Sequence, residues 1–171
     1  MKTIQNFTIL YILLVIAQAV ICNYFSLGPY ISLSLLPALI LCLPLNKSTF
    51  LTMGLAFITG LSVDILSEGL LGLNTLALVP VALLRKPIVI MTMGAEALEK
   101  NEPFNTRYES TVKITLAVIM TQIVFLSVYI IADGAGVRPM WFNLSRFGAS
   151  LASNTLLSLL AIHMLNYEER R

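Results

Sequence analysis

Charge is scarce in this sequence. Asp, Glu, Lys and Arg together make up 12% of its 171 residues, about half the share that a soluble domain uses to coat its surface. A water-facing globular domain is excluded on that ground. The single histidine and the two cysteines, Cys22 and Cys42, fall short of the four Cys/His ligands of a structural metal site and form no disulfide framework. The cysteines read as small apolar packing residues. A net charge of +2 with no dense Lys/Arg cluster gives no footprint for nucleic acid. Walker, His-Glu-x-x-His and Gly-x-Ser-x-Gly patterns are missing, so no enzyme and no cofactor is expected. The glutamates of the Glu168-Glu169-Arg170-Arg171 tail lie beyond the last apolar stretch, where nothing shapes a site around them. Residues 7–21 follow Lys2 as an h-region follows an n-region, but no small-x-small cleavage site comes after them. They read as a retained first helix.

What is present is apolar. Hydrophobic residues account for 57% of the chain and the mean hydropathy is +0.85. They fall in six stretches, at about 7–21, 31–45, 50–66, 70–84, 114–132 and 147–165. A hydrocarbon core about 30 Å thick needs roughly 20 helical residues. The last two stretches meet that comfortably, and the second, third and fourth borrow flanking residues or sit in thinned bilayer. The expected fold is all-α, a polytopic bundle of about six transmembrane helices forming one domain over 1–171. Lys2, Lys47, Arg85, Lys86, Lys100, Arg107, Lys113, Arg170 and Arg171 share one side of such a bundle, and only Arg138 and Arg146 face the other. The positive-inside rule then places both termini in the cytoplasm, with 85–113 as a cytoplasmic loop and 133–146 as a periplasmic one. Pro87 and Pro103 are expected to break helix in the cytoplasmic loop, with a surface helix around 91–100. Tyr129 and Trp141 suit an interfacial aromatic belt.

An ionisable group within a span is a functional candidate, which singles out Asp64. Near the end of the third stretch it either reaches headgroups or caps the following helix. The sharper alternative is a buried carboxylate that holds two helices together or binds a partner. Gly54, Gly60, Gly69 and Gly72 fall in the same hairpin, where glycine lets backbones approach closely and permits the positive φ of a sharp reversal. In the sixth stretch Gly148, Ser150, Ala152 and Ser153, beside Ala149, offer a helix-packing face. Gln18, Asn74, Gln122 and Asn154 read as interhelical hydrogen-bonding groups. His163 has no His or Cys companion and no metal role.

The run Gly54-Leu-Ala-Phe-Ile-Thr-Gly60-Leu-Ser-Val-Asp64-Ile-Leu-Ser-Glu-Gly69-Leu-Leu-Gly72, continuing to Arg85-Lys86, resembles the central signature of the MreD family of rod shape-determining membrane proteins. Gly60, Asp64, Gly69 and Gly72 match it by position, as does the Leu36-Pro37 step. The layout matches over the whole chain and specific residues over about a fifth of it. Pro80 inside the fourth helix and the long 85–113 segment depart from the family pattern. The resemblance implies a non-enzymatic scaffold of the cell-wall elongation machinery in the bacterial cytoplasmic membrane. It would bind an MreC-like single-span protein and act alongside MreB, RodA and its transpeptidase in peptidoglycan synthesis. It also implies a fold similar to the substrate-binding subunits of energy-coupling-factor transporters, so a vitamin-type transport subunit is the alternative. That alternative predicts polar or aromatic groups converging at mid-depth, and the sequence offers few.

Overall fold

The computed structural model describes residues 2–24, 31–45, 47–67, 70–96, 110–134 and 138–168, with side chains described between residues 8 and 163. Six helices follow one another: α1 (Lys2–Tyr24), α2 (Leu36–Leu41), α3 (Thr49–Leu66), α4 (Leu73–Met93), α5 (Thr111–Gly134) and α6 (Met140–Glu168). No strand occurs among the described residues, as the all-α reading expects. Three of the helices, α3, α4 and α5, are long and apolar enough to cross a membrane by length and composition.

The second apolar stretch departs from expectation. Residues 31–35 are non-helical, and only the six residues Leu36–Leu41 form a helix, with Pro37 in its first turn. Proline is preorganised for that position, since its missing N–H would be unpaired there in any case. Pro44, three residues past Leu41, lacks the N–H needed to continue the helix. Apolarity alone could not reveal this, because a fully buried irregular segment is as hydrophobic as a span. Leu35, Leu36, Ala38, Leu39, Ile40 and Leu41 are all buried.

This segment nevertheless runs the length of the bundle. Tyr11 on α1 meets Thr59 on α3 through their hydroxyls at 2.9 Å, and the Asn23 Nδ2 donates to the Leu66 carbonyl at 3.0 Å. The two helices are therefore parallel, and the chain between them must return. Antiparallel pairing follows for α5 and α6 from Gln122 with Ser158 and Asp133 with Arg146. Helix α3 is antiparallel to α4, whose first turn meets the last turns of α3.

Other boundaries also move. Helix α4 does not stop near residue 84 but continues through Arg85, Lys86 and Pro87 to Met93, where Gly94 at φ +95° caps it. Pro80 and Pro87 both lie inside it. Proline is tolerated in apolar bundles where neighbouring groups take up the freed carbonyl, so Pro87 does not act as the expected breaker. The first nine residues assigned to the cytoplasmic loop are therefore helix; of the proposed 91–100 surface helix, residues 91–93 are the end of α4, and residues 97–100 and Pro103 fall outside the described residues. At the opposite end α6 starts at Met140, which makes most of the expected 133–146 loop helical.

The outer surface of the bundle is strongly apolar, and polar side chains are set within its largely hydrophobic core. Ile9, Ile12, Leu13, Ile16 and Val20 of α1 are exposed while Gln18 is buried. On α6 the row Leu144, Gly148, Ala152, Leu156, Leu160 faces out, and the row Arg146, Ser150, Asn154, Ser158, four residues apart, faces in. Side chains four apart share a helix face. Contiguous exposure of large apolar groups on this scale is a liability in water and the normal state in lipid.

Candidate functional site: a clamped crossing segment and a capped hairpin

Non-helical backbone at membrane depth is viable only if its N–H and C=O groups find partners, since each unsatisfied group costs several kcal/mol in apolar surroundings. Residues 31–35 obtain partners from side chains of three helices. From α1, Gln18 accepts from the Leu35 N–H at 2.7 Å and donates to the Leu33 carbonyl at 3.0 Å. From α6, Ser150 Oγ accepts from the Ser32 N–H at 2.9 Å and Asn154 Oδ1 from the Ser34 N–H at 3.0 Å. From α5, Gln122 Nε2 donates to the Ser34 carbonyl at 3.2 Å and to Ser158 Oγ at 2.9 Å. Arg146 Nε donates to Ser32 Oγ at 3.1 Å. Gln18 and Asn154 therefore do not bond helix to helix as expected; their partner is the backbone of the broken segment.

The far end of the segment is held by Arg85. Its guanidinium donates to the Leu43 carbonyl and, at 3.4 Å, to the Pro44 carbonyl, just past the end of α2. The Arg85 side chain is almost wholly buried. A cation at a helix C-terminus meets the negative end of the dipole and the unpaired carbonyls together. Sequence alone marks Arg85 as a topogenic charge and as the basic end of the run that begins at Gly54, and does not show this role. The signals available were its place within an apolar run and the Pro37 and Pro44 that bracket the short helix.

The hairpin of α3 and α4 forms the second part of the site. Asp64 is 1% exposed, so it does not reach headgroups; it caps the next helix and joins two helices at once. Its Oδ1 accepts from Asn74 N and Asn74 Nδ2, at 3.0 and 2.9 Å. Its Oδ2 accepts from Gly72 N, Thr75 N and Thr75 Oγ1, at 3.1, 3.1 and 2.8 Å. The carboxylate thus takes up the free N–H groups of the first turn of α4, where the dipole also favours negative charge. Gly72 precedes that turn at φ +90°, a conformation costly for residues with a Cβ.

Gly60 lies one turn before Asp64 on the same face. A Cβ there would sit 2.6 Å from Thr75 Cα and 2.8 Å from Thr75 N. Only glycine lets α3 and α4 approach closely enough for Asp64 to reach its partners. Gly54 contributes nothing to this contact: it is exposed, with no atom within 4 Å of a Cβ. Gly69 lies outside the described residues. The packing face proposed on α6 also divides. Ser150 points inward to the broken segment, and Ser153 bonds the Ala149 carbonyl of its own helix at 3.0 Å. Gly148 and Ala152 face outward.

At the other rim Asp133 Oδ2 accepts from both Arg138, at 3.0 Å, and Arg146. Arg146 also lies over the Tyr129 ring, 6.0 Å from its centroid. Tyr129 is half-buried and stacked on Phe125, ring centroids 5.5 Å apart. Trp141 is exposed. Among the described residues no group of three His, Cys, Asp or Glu gathers as metal ligands do. Comparison with protein-family models, with characterised proteins and with solved structures finds no match to this chain.

Proposed function

We propose that this protein is a non-enzymatic, multi-pass scaffold of the bacterial cytoplasmic membrane, with both termini in the cytoplasm. In this reading it serves the cell-wall elongation machinery as MreD proteins do, binding an MreC-like single-span protein near MreB, RodA and its transpeptidase. The observation that carries the proposal is the belt of large apolar side chains exposed on the outer surface. Most of the buried polar side chains are engaged with the chain's own backbone, leaving the apolar outer surface to meet other molecules. Within that belt Gly148 and Ala152, one turn apart, form a low point between Leu144 and Leu156. Lipid gives no hydrophobic drive for helix association, so close backbone approach at small residues is how a foreign helix gains contact. The hairpin motif supports the reading from another side: Gly60, Asp64 and Gly72, three of the positions carrying the resemblance, are those whose side chains or lack of them shape the α3–α4 contact.

Affinity capture from detergent-solubilised bacterial membranes tests this. An MreC-like protein is expected to co-purify with the wild-type chain, and Gly148→Ile is expected to reduce its recovery without lowering the melting temperature. Failure to recover such a protein with the folded wild-type chain would overturn the assignment.

One observation favours the transport-subunit reading. Polar groups do converge at mid-depth, and two of their atoms, Gln122 Oε1 and Asn154 Nδ2, are buried without a partner. A thermal-shift screen with vitamins discriminates: ligand at a hundred times its Kd would stabilise the protein by about 2.7 kcal/mol, whereas the scaffold reading expects no shift.

A further inference from the structure

The rim formed by the end of α5 and the start of α6 carries an unbalanced charge. Two guanidinium groups, of Arg138 and Arg146, converge on one carboxylate oxygen of Asp133, so the cluster keeps one positive charge in excess. Residues 135–137, Ala-Gly-Val, add none. The three members differ in access. The Arg146 side chain is mostly buried and fixed by Ser32 and the Tyr129 ring. Arg138 is 40% exposed and lies over the Phe142 ring, 5.6 Å from its centroid. Beside them Met140 and Trp141, at 89% and 81% exposure, and Leu144 present bare apolar surface.

The depth of this cluster follows from α5. From Ile114 to Asp133 the helix rises by about 28 Å at roughly 1.5 Å per residue, close to the thickness of a hydrocarbon core. With the apolar length of α5 in the core, Asp133, Arg138 and Arg146 lie where lipid phosphates lie, and Trp141 sits at the level indoles prefer.

We propose that this rim is a binding site for the headgroup of an anionic phospholipid. The phosphate would meet the exposed edge of Arg138, and the upper acyl chain would lie against Met140, Trp141 and Leu144. Guanidinium matches phosphate in geometry and charge. One surplus cation complements one phosphodiester anion, while a zwitterionic lipid brings its own cation and gains less. The apolar flank selects a lipid over a free oxyanion. The site depends on membrane insertion and is independent of any scaffold role.

Native mass spectrometry of the full chain, released from detergent with added phosphatidylglycerol or phosphatidylcholine, provides the test. Phosphatidylglycerol is expected to be retained about fivefold more than phosphatidylcholine, the effect of one interfacial charge. Arg138→Ala removes the surplus and is expected to abolish that preference. Asp133→Asn doubles the surplus and is expected to raise it. Because the two variants move binding in opposite directions, a general loss of fold cannot produce the result; melting curves of both accompany the measurement. Equal retention of the two lipids by the wild type, or shifts of the same sign in both variants, would overturn the proposal. Displacement of phosphatidylglycerol by equimolar inorganic phosphate would show a bare oxyanion site and overturn the lipid assignment.

Discussion

Substituting Gly60 by alanine adds a single methyl group, and the structure fixes where it goes. The new Cβ would lie 2.6 Å from Thr75 Cα and 2.8 Å from Thr75 N, against an ordinary contact of 3.4–4 Å. Both neighbours are backbone, so no side chain can swing aside; helix α4 must retreat by about 0.8 Å or more. A retreat of that size along the line between the helices lengthens the bonds from Thr75 N and Thr75 Oγ1 to Asp64, now 3.1 and 2.8 Å, beyond useful range. Overpacking costs about 1–3 kcal/mol, and weakening bonds to a buried charged acceptor adds about 1.5–3 kcal/mol. The expected loss is on the order of 3 kcal/mol, or about 6–12 °C in melting temperature for a chain of this size. Gly54→Ala is the matched control. It makes the same chemical change on the same helix, but its Cβ meets nothing, and alanine is the better helix former by up to about 1 kcal/mol. Thermal unfolding followed by circular dichroism in one mild detergent should show Gly60→Ala melting well below wild type and Gly54→Ala at or above it. If the two variants melt within about 2 °C of each other, the close-approach argument is wrong.

Three further outcomes follow from the same geometry. Asp64→Asn places an NH₂ group against N–H and O–H donors that now point at a carboxylate oxygen; denaturant titration should register a loss on the order of 3 kcal/mol, larger than for Asn74→Ala. Asn154→Leu leaves the Ser34 N–H without its acceptor, a buried unpaired donor worth about 1–3 kcal/mol, and hydrogen exchange should show the amides of residues 32–35 losing protection before those of α3 and α4. Gly72→Ala forces a Cβ into φ +90° with no steric neighbour, so its cost is conformational alone, about 1–2 kcal/mol by melting.

The relation between sequence and structure differs from one element to the next. Helices α3 and α5 could be read from apolar composition, because each is a continuous apolar run long enough to cross a membrane. The capped hairpin was half visible: Asp64 in a span and glycines nearby marked the place, and capping of the next helix was among the readings offered. That the carboxylate is buried and accepts five hydrogen bonds was not visible, since this depends on where α4 lies against α3. The role of Gly54 was misjudged for a related reason. Gly54 and Gly60 are equivalent in composition, and only the rotation of α3 decides that one faces a backbone and the other faces outward.

The sequence by itself determined the class of fold: sparse charge and long apolar runs give a helical chain, three of whose helices are long and apolar enough to cross a membrane. Tertiary structure alone decided that residues 31–45 traverse the bundle as broken backbone. Hydropathy reports that a segment is buried but not what satisfies its N–H and C=O groups. Here partners for several of those groups come from Gln18, Arg85, Gln122, Ser150 and Asn154, residues scattered over four helices and brought to one line only when the helices pack.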